Sequence, residues 1–234
     1  MDNNFFERSE ALLGAETTAR LKAAHVLVVG VGGVGGWCAE ALVRTGLGRI
    51  TLVDDDTVAS SNVNRQCPAT AANVGRSKVE AMRERLLAVN PECDVTACAE
   101  RFTAENAGRW FASPSFSAVV DAIDSVDCKA ELVLAATAAG VPLVSSMGAA
   151  LRLDPTRVTV SRFEKVEGDG LARALRQRFK RLGRFPAAKF TCVWSQEPPV
   201  GARETKGSWM PVTATFGMSL ASEAVKAIAG RDGR

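Results

Sequence analysis

Three glycines spaced as G-x-G-x-x-G, Gly30, Gly32 and Gly35 within "GVGGVGG", separate an apolar run, "HVLVV", from a helical pattern, "GWCAEALVRTG". Glycines at that spacing let backbone approach phosphate oxygens, and the helix that follows presents oriented N–H groups. Asp54, at the end of the next apolar run, stands where a carboxylate receives ribose hydroxyls. These residues make a nucleotide the expected ligand, with NAD as the default. Asn62, Arg65 and Lys78 in "DDDTVASSNVNRQ" and "GRSKVEA" shift that balance. A triphosphate carries more charge than one helix terminus satisfies, and Arg plus Lys answer that need by charge-assisted hydrogen bonds. The plainer alternative is that both cations are solvated surface charges. In "VVDAIDSVDCK", Asp121 and Asp124 close another apolar run, where a carboxylate can hold Mg²⁺ against phosphates. The competing expectation is that one of the two caps the next helix.

The elements needed to position these groups are legible. Residues 25–30 and 49–54 read as buried strands around the glycine-led helix, forming a βαβ unit. Further strand–helix alternation runs to residue 146, through "GRSKVEAMRERLLAVNP", "CDVTACA", "SAVVDAID", "CKAELVLAATAAG" and "VPLVSS". This predicts an α/β fold, a Rossmann-like, doubly wound, mostly parallel sheet. After Met147 the pattern changes: "RVTVSRF" and "AKFTCVWS" suggest a different, antiparallel element, divided by the basic helix "LARALRQRFKRLGR". The tail "VTATFGMSLASEAVKAIAG" predicts a small-residue helix able to pack on the main sheet. We divide the chain into an N-terminal arm and helix over 1–24, a nucleotide-binding core over 25–150 and a C-terminal α+β extension over 151–234 packed on that core.

A chain of 234 residues with 47% hydrophobic content suits one globular domain with an extension. The balance of 29 Lys+Arg against 26 Asp+Glu is too even to name a partner, so the distribution of charge matters more. Arg173, Arg176, Arg178, Lys180, Arg181 and Arg184 concentrate in one short segment and suit phosphate contacts to RNA, although a solvated helix face gives the same pattern. Phe179, Phe185 and Trp194 beside them either stack on bases or pack the extension, and packing is the expectation. Six cysteines without a C-x-x-C pair read as reduced, packed thiols. His25, the single histidine, reads as a strand-edge residue. With no apolar span and a polar, acidic start, the sequence predicts a cytoplasmic protein without a membrane partner.

Together, "GVGGVGGW", "TLVDDDTVASSNVNRQ", "GRSKVEA" and "DAIDSVDCK" resemble the ubiquitin-activating-type adenylating enzymes, over roughly residues 5–147. The resemblance implies ATP with Mg²⁺. It sets Gly33 against the nucleotide, Asp54 on the ribose, Asn62, Arg65 and Lys78 on the phosphates, and Asp124 on the metal with Ser125 beside it. It also implies a homodimer in which Arg8 of "FERSEALLG" reaches the triphosphate of the other subunit. The second half, through "SSMGAALRLDPTRV", "KVEGDGLARALRQRFKRLG", "VWSQEPP" and "GSWMPVTATFG", resembles the tRNA threonylcarbamoyladenosine dehydratase branch. That branch uses ATP to activate a carboxylate on tRNA and cyclises it with net loss of water. A sulfur-transfer or cysteine desulfurase partner is left open by the same resemblance, as is a reactive Cys192.

Other classes make different predictions. An activator of a small Gly-Gly-ended sulfur carrier would use the same nucleotide site, but such members usually carry zinc-binding C-x-x-C pairs. A non-catalytic nucleotide-gated module would tolerate Asp124→Ala. An NAD oxidoreductase would need a hydride-site acid or base that the sequence does not present.

Overall fold

The computed structural model describes residues 5–112, 116–201 and 207–230. The core is a seven-stranded sheet in the order β3-β2-β1-β4-β5-β7-β6. Its strands are β1 (His25–Val29), β2 (Arg49–Val53), β3 (Asp94–Cys98), β4 (Ala118–Asp121), β5 (Leu143–Ser146), β6 (Val158–Arg162) and β7 (Thr191–Ser195). All neighbouring pairs are parallel except β6–β7.

The period-two alternation of β1 decides which helices cover each face. Val26 and Val28 join the core beneath α3 (Gly35–Arg44), α4 (Lys78–Val89) and α8 (Met210–Ala229). Leu27 and Val29 join the opposite core with α5 (Ala104–Phe111), α6 (Val126–Ala138) and α7 (Gly170–Leu182). Each of these four β1 residues is at most 2% exposed. Strands buried on both faces read as continuous apolar runs, which is why "HVLVV" was recognisable. Two short helices, α1 (Glu7–Leu13) and α2 (Ala15–Ala23), precede β1.

The sequence suggested a different antiparallel element after Met147, and the structure corrects this. β7 runs parallel to β5, with Val144 opposite Thr191, and so extends the main sheet. β6 then pairs antiparallel to β7 as the outer strand, with Val160 opposite Val193. Cys192, Val193 and Trp194 are all buried, as befits an interior strand, whereas Val160 at the edge stays exposed. Helix α5 was not anticipated. It spans eight residues and buries only Ala107 fully, with Trp110 and Phe111 packed against the core, and its start is marked by Asn106 Oδ1 accepting from Thr103 N at 2.8 Å.

Helix α8 lies tightly on α3. A Cβ at Gly217 would fall 2.6 Å from Val34 O and 2.8 Å from Trp37 Cβ, so only glycine permits this approach. Burial of Val212, Phe216, Leu220 and Ala224 along one stripe seals the contact.

Candidate nucleotide-binding site

The loops leaving the carboxyl ends of β1, β2, β4 and β5 surround a cavity of about 920 Å³. This is the edge at which open α/β sheets receive ligands. Gly30 begins the turn after β1 with φ +90°, and a Cβ there would lie 2.7 Å from Ala122 O. Gly35 packs beneath it against the Gly30 carbonyl, while Gly30, Gly32 and Gly33 line the cavity. The fingerprint thus divides into glycines that face the space and one that closes the helix onto the strand.

Asp54 follows β2 and is fixed from both sides. Its Oδ2 accepts from Val31 N at 2.6 Å and its Oδ1 from Asp56 N at 2.9 Å. The carboxylate therefore ties the β2 loop to the glycine turn and keeps lone pairs for further donors. Lys78 opens α4, is 5% exposed and donates to Asp56 Oδ2 at 2.6 Å. The surface-charge alternative fails for Lys78, because a buried ammonium needs acceptors. Asn62 is buried in a short turn, where its Oδ1 accepts from Ala59 N at 3.0 Å and its amide N–H₂ remains to donate elsewhere. Arg65 is half-buried. Its backbone carbonyl accepts from Trp37 Nε1 at 2.9 Å, while its guanidinium donates to Ser61 O and Asn64 Oδ1. The carboxylates of Asp54, Asp55 and Asp56 come within 4.8 Å of one another, but Asp56 is already engaged by Lys78.

Asp121 and Asp124 separate cleanly. Asp121 is fully buried, ion-paired to Lys129 at 2.7 Å, and accepts from Ser145 Oγ at 2.7 Å. Asp124 is exposed and lines the cavity with Ser125. Neither aspartate caps α6, correcting the expectation that one would; Ser125 occupies the N-cap without a side-chain bond. Arg8 lies exposed on α1 and does not line the cavity of its own chain.

The basic segment also divides. Arg173 lines the cavity and is exposed, as are Lys180 and Arg181 on α7. Arg178 pairs with Asp127 at 2.9 Å and Arg184 with Glu131 at 3.0 Å. Arg176 is committed to the protein: its Nη2 donates to Phe163 O at 2.9 Å and Val166 O at 2.7 Å, and its guanidinium lies over the Phe163 ring. Phe179 and Trp194 pack in the interior, while Phe185 is exposed. Cys192 is fully buried, and burial pushes its thiol pKa upward, an environment that disfavours the thiolate.

Sequence reasoning missed the residues that close the β5 side of the cavity. Arg152 and Asp169 line it, 4% and 2% exposed. Their nearest charged atoms, Nη2 and Oδ2, are 3.7 Å apart. Leu151, immediately before, has φ 61°, and among the described residues no other non-glycine has positive φ. An isolated Arg in "GAALRLDPT" gives no sign of burial; its position just after a parallel strand was the available signal.

The fold and the cavity define an adenylating enzyme of the ThiF type, and the chain belongs to the ThiF family, whose model matches residues 6–234. It is 38% identical over 255 residues to the tRNA threonylcarbamoyladenosine dehydratase of Escherichia coli (strain K12), covering 98% of this chain and 95% of that protein. The Bacillus subtilis (strain 168) protein of the same name is 39% identical, covering 85% of this chain and 77% of the relative. The solved structure of the E. coli dehydratase in complex with ATP superposes with a TM-score of 0.90 at 40% identity, covering 97% of this chain and 96% of that one.

Proposed function

We propose that this chain is an ATP-dependent tRNA threonylcarbamoyladenosine dehydratase. The observation that supports this most is the convergence of Asp54, Asn62, Arg65, Lys78 and Asp124 on one cavity, in a chain that matches dehydratases over nearly its whole length. The substrate carboxylate attacks the α-phosphate of ATP and expels pyrophosphate. The ureido group of the same nucleoside then attacks the activated carbonyl and AMP departs, with one N–H proton lost to solvent. Because nucleophile and electrophile belong to one molecule, the protein mainly positions groups and balances charge.

In this reading Gly32 and Gly33 admit the phosphates, Asp54 holds the ribose, and Asn62, Arg65 and Lys78 meet the phosphate oxygens. Mg²⁺ neutralises phosphate charge when bound, and Asp124, an exposed hard-oxygen donor on the cavity wall beside Ser125, fits it. A homodimer supplies Arg8 from the second subunit, consistent with that residue lying outside its own cavity. Arg173, Lys180 and Arg181 form the tRNA-facing cations, with Arg178 and Arg184 contributing at the rim. The enzyme works in the cytoplasm, where its RNA substrate resides; no helix among the described residues is long and apolar enough to cross a membrane. A cysteine desulfurase or other sulfur-transfer partner would have to use a thiol other than the buried Cys192.

The test is nucleoside mass. Incubation with ATP, Mg²⁺ and tRNA bearing threonylcarbamoyladenosine yields a nucleoside lighter by one water, and Asp124→Ala abolishes the product. Unchanged nucleoside mass together with adenylation of a Gly-Gly-ended carrier would place the same site in carrier activation instead.

A further inference from the structure

Arg152 has the burial of a core residue and the bonding of a binding-site residue. Two of its nitrogens, Nε and Nη1, are buried and have no hydrogen-bond partner among the described residues, and the side chain lines the cavity. The carboxylates around it are held by backbone. Asp169 accepts from Ala172 N at 2.8 Å and Gly148 N at 3.1 Å, while Glu197 accepts from Leu153 N at 2.9 Å and Asp154 N at 3.0 Å. Burial lowers the affinity of Arg152 for its proton, and the charges of Asp169 and Glu197 oppose that effect. A guanidinium cannot shed its proton at physiological pH, so its unpaired donors require an acceptor. The backbone is shaped to present it: strained Leu151 donates its N–H to Gly207 O at 2.9 Å and accepts from Val200 N at 2.8 Å.

Strand order assigns the acceptor. Along the sheet the strands run β2, β1, β4, β5, so the loops bearing Asp54, the glycine turn, Asp124 and Arg152 follow in that sequence. With the ribose at Asp54 and the phosphates at the turn and Asp124, the β5 side is left for the group that attacks the α-phosphate. We propose that Arg152 binds the carboxylate of the tRNA-borne threonylcarbamoyl group through the oxygen that does not attack phosphorus. That oxygen becomes the carbonyl oxygen of the acyl-adenylate. The same donors then stabilise the negative charge that develops on it during ring closure, before the C–O bond to AMP breaks. This inference rests on the dehydratase reading.

The experiment compares wild type, Arg152→Gln and Arg152→Lys. It measures KM for ATP, kcat/KM for modified tRNA, and equilibrium binding of tRNA with and without the threonylcarbamoyl group. Arg152→Gln is expected to lower kcat/KM for modified tRNA about 100-fold, the scale of a lost oxyanion donor, with KM for ATP within about twofold. Its preference for modified over unmodified tRNA falls about 10-fold, the scale of a charge-assisted hydrogen bond. Arg152→Lys recovers part of both and decides the matter should the glutamine variant not fold. An unchanged preference, or an equal loss of ATP and tRNA parameters with a lowered melting temperature, would show Arg152 to be internal support for its loop. A wild-type protein that converts no modified tRNA would overturn the dehydratase reading itself, before any variant is compared.

Discussion

The two ends of the cavity are built on different principles. At the β1–β2 end, Asp54, Asp56, Lys78 and Asn62 brace one another and the backbone with short hydrogen bonds, so the loops are pre-set. At the β5 end, Asp169 and Glu197 brace the backbone while Arg152 keeps two buried donors unpaired beside a strained residue. The nucleotide end is braced in advance, yet it keeps Asp54 lone pairs and the Asn62 amide N–H₂ for a ligand. Under the role proposed for Arg152, its open donors make the β5 end the part of the cavity that selects the modified nucleoside.

The comparison can be broken from behind the first end. Gly217 on α8 touches Val34 and Trp37, and Trp37 holds the Arg65 carbonyl. Gly217→Val forces α8 away and costs about 1–3 kcal/mol of stability, the usual penalty for overpacking. At about 2–4 °C per kcal/mol for a chain of this size, calorimetry should register a fall of several degrees, accompanied by weaker ATP binding. A silent Gly217→Val would mean that α8 does not support the nucleotide end.

A smaller effect sharpens the division within α7. Arg181→Ala should reduce the salt dependence of tRNA binding by about one unit of slope while leaving the melting temperature in place. Arg176→Ala should do the reverse, because its guanidinium serves Phe163 O and Val166 O. Equal salt slopes for the two variants would remove the basis for separating them.

The difference between the ends also explains what the sequence could reveal. The glycine spacing, the apolar run of β1 and the start of α4 are local patterns, so Asp54 and Lys78 could be placed from neighbours along the chain. The choice between Asp121 and Asp124 was not local: it depends on Lys129 and Ser145 closing around Asp121. Arg152 owes its burial to the turn at Leu151 and to partners in the β7 loop and α7, a long-range arrangement that residue type cannot announce. The same holds for β7, whose place beside β5 is set by tertiary pairing across the intervening β6 and α7.

The most direct test of this two-ended account is titration of ATP–Mg²⁺ into Lys78→Met and Arg152→Gln beside wild type. Lys78→Met removes the buried ammonium and should weaken ATP about 10- to 100-fold, the range for a charge-assisted contact, whereas Arg152→Gln should bind ATP as wild type does. Equal loss in both variants, or ATP affinity that survives Lys78→Met, would contradict the division.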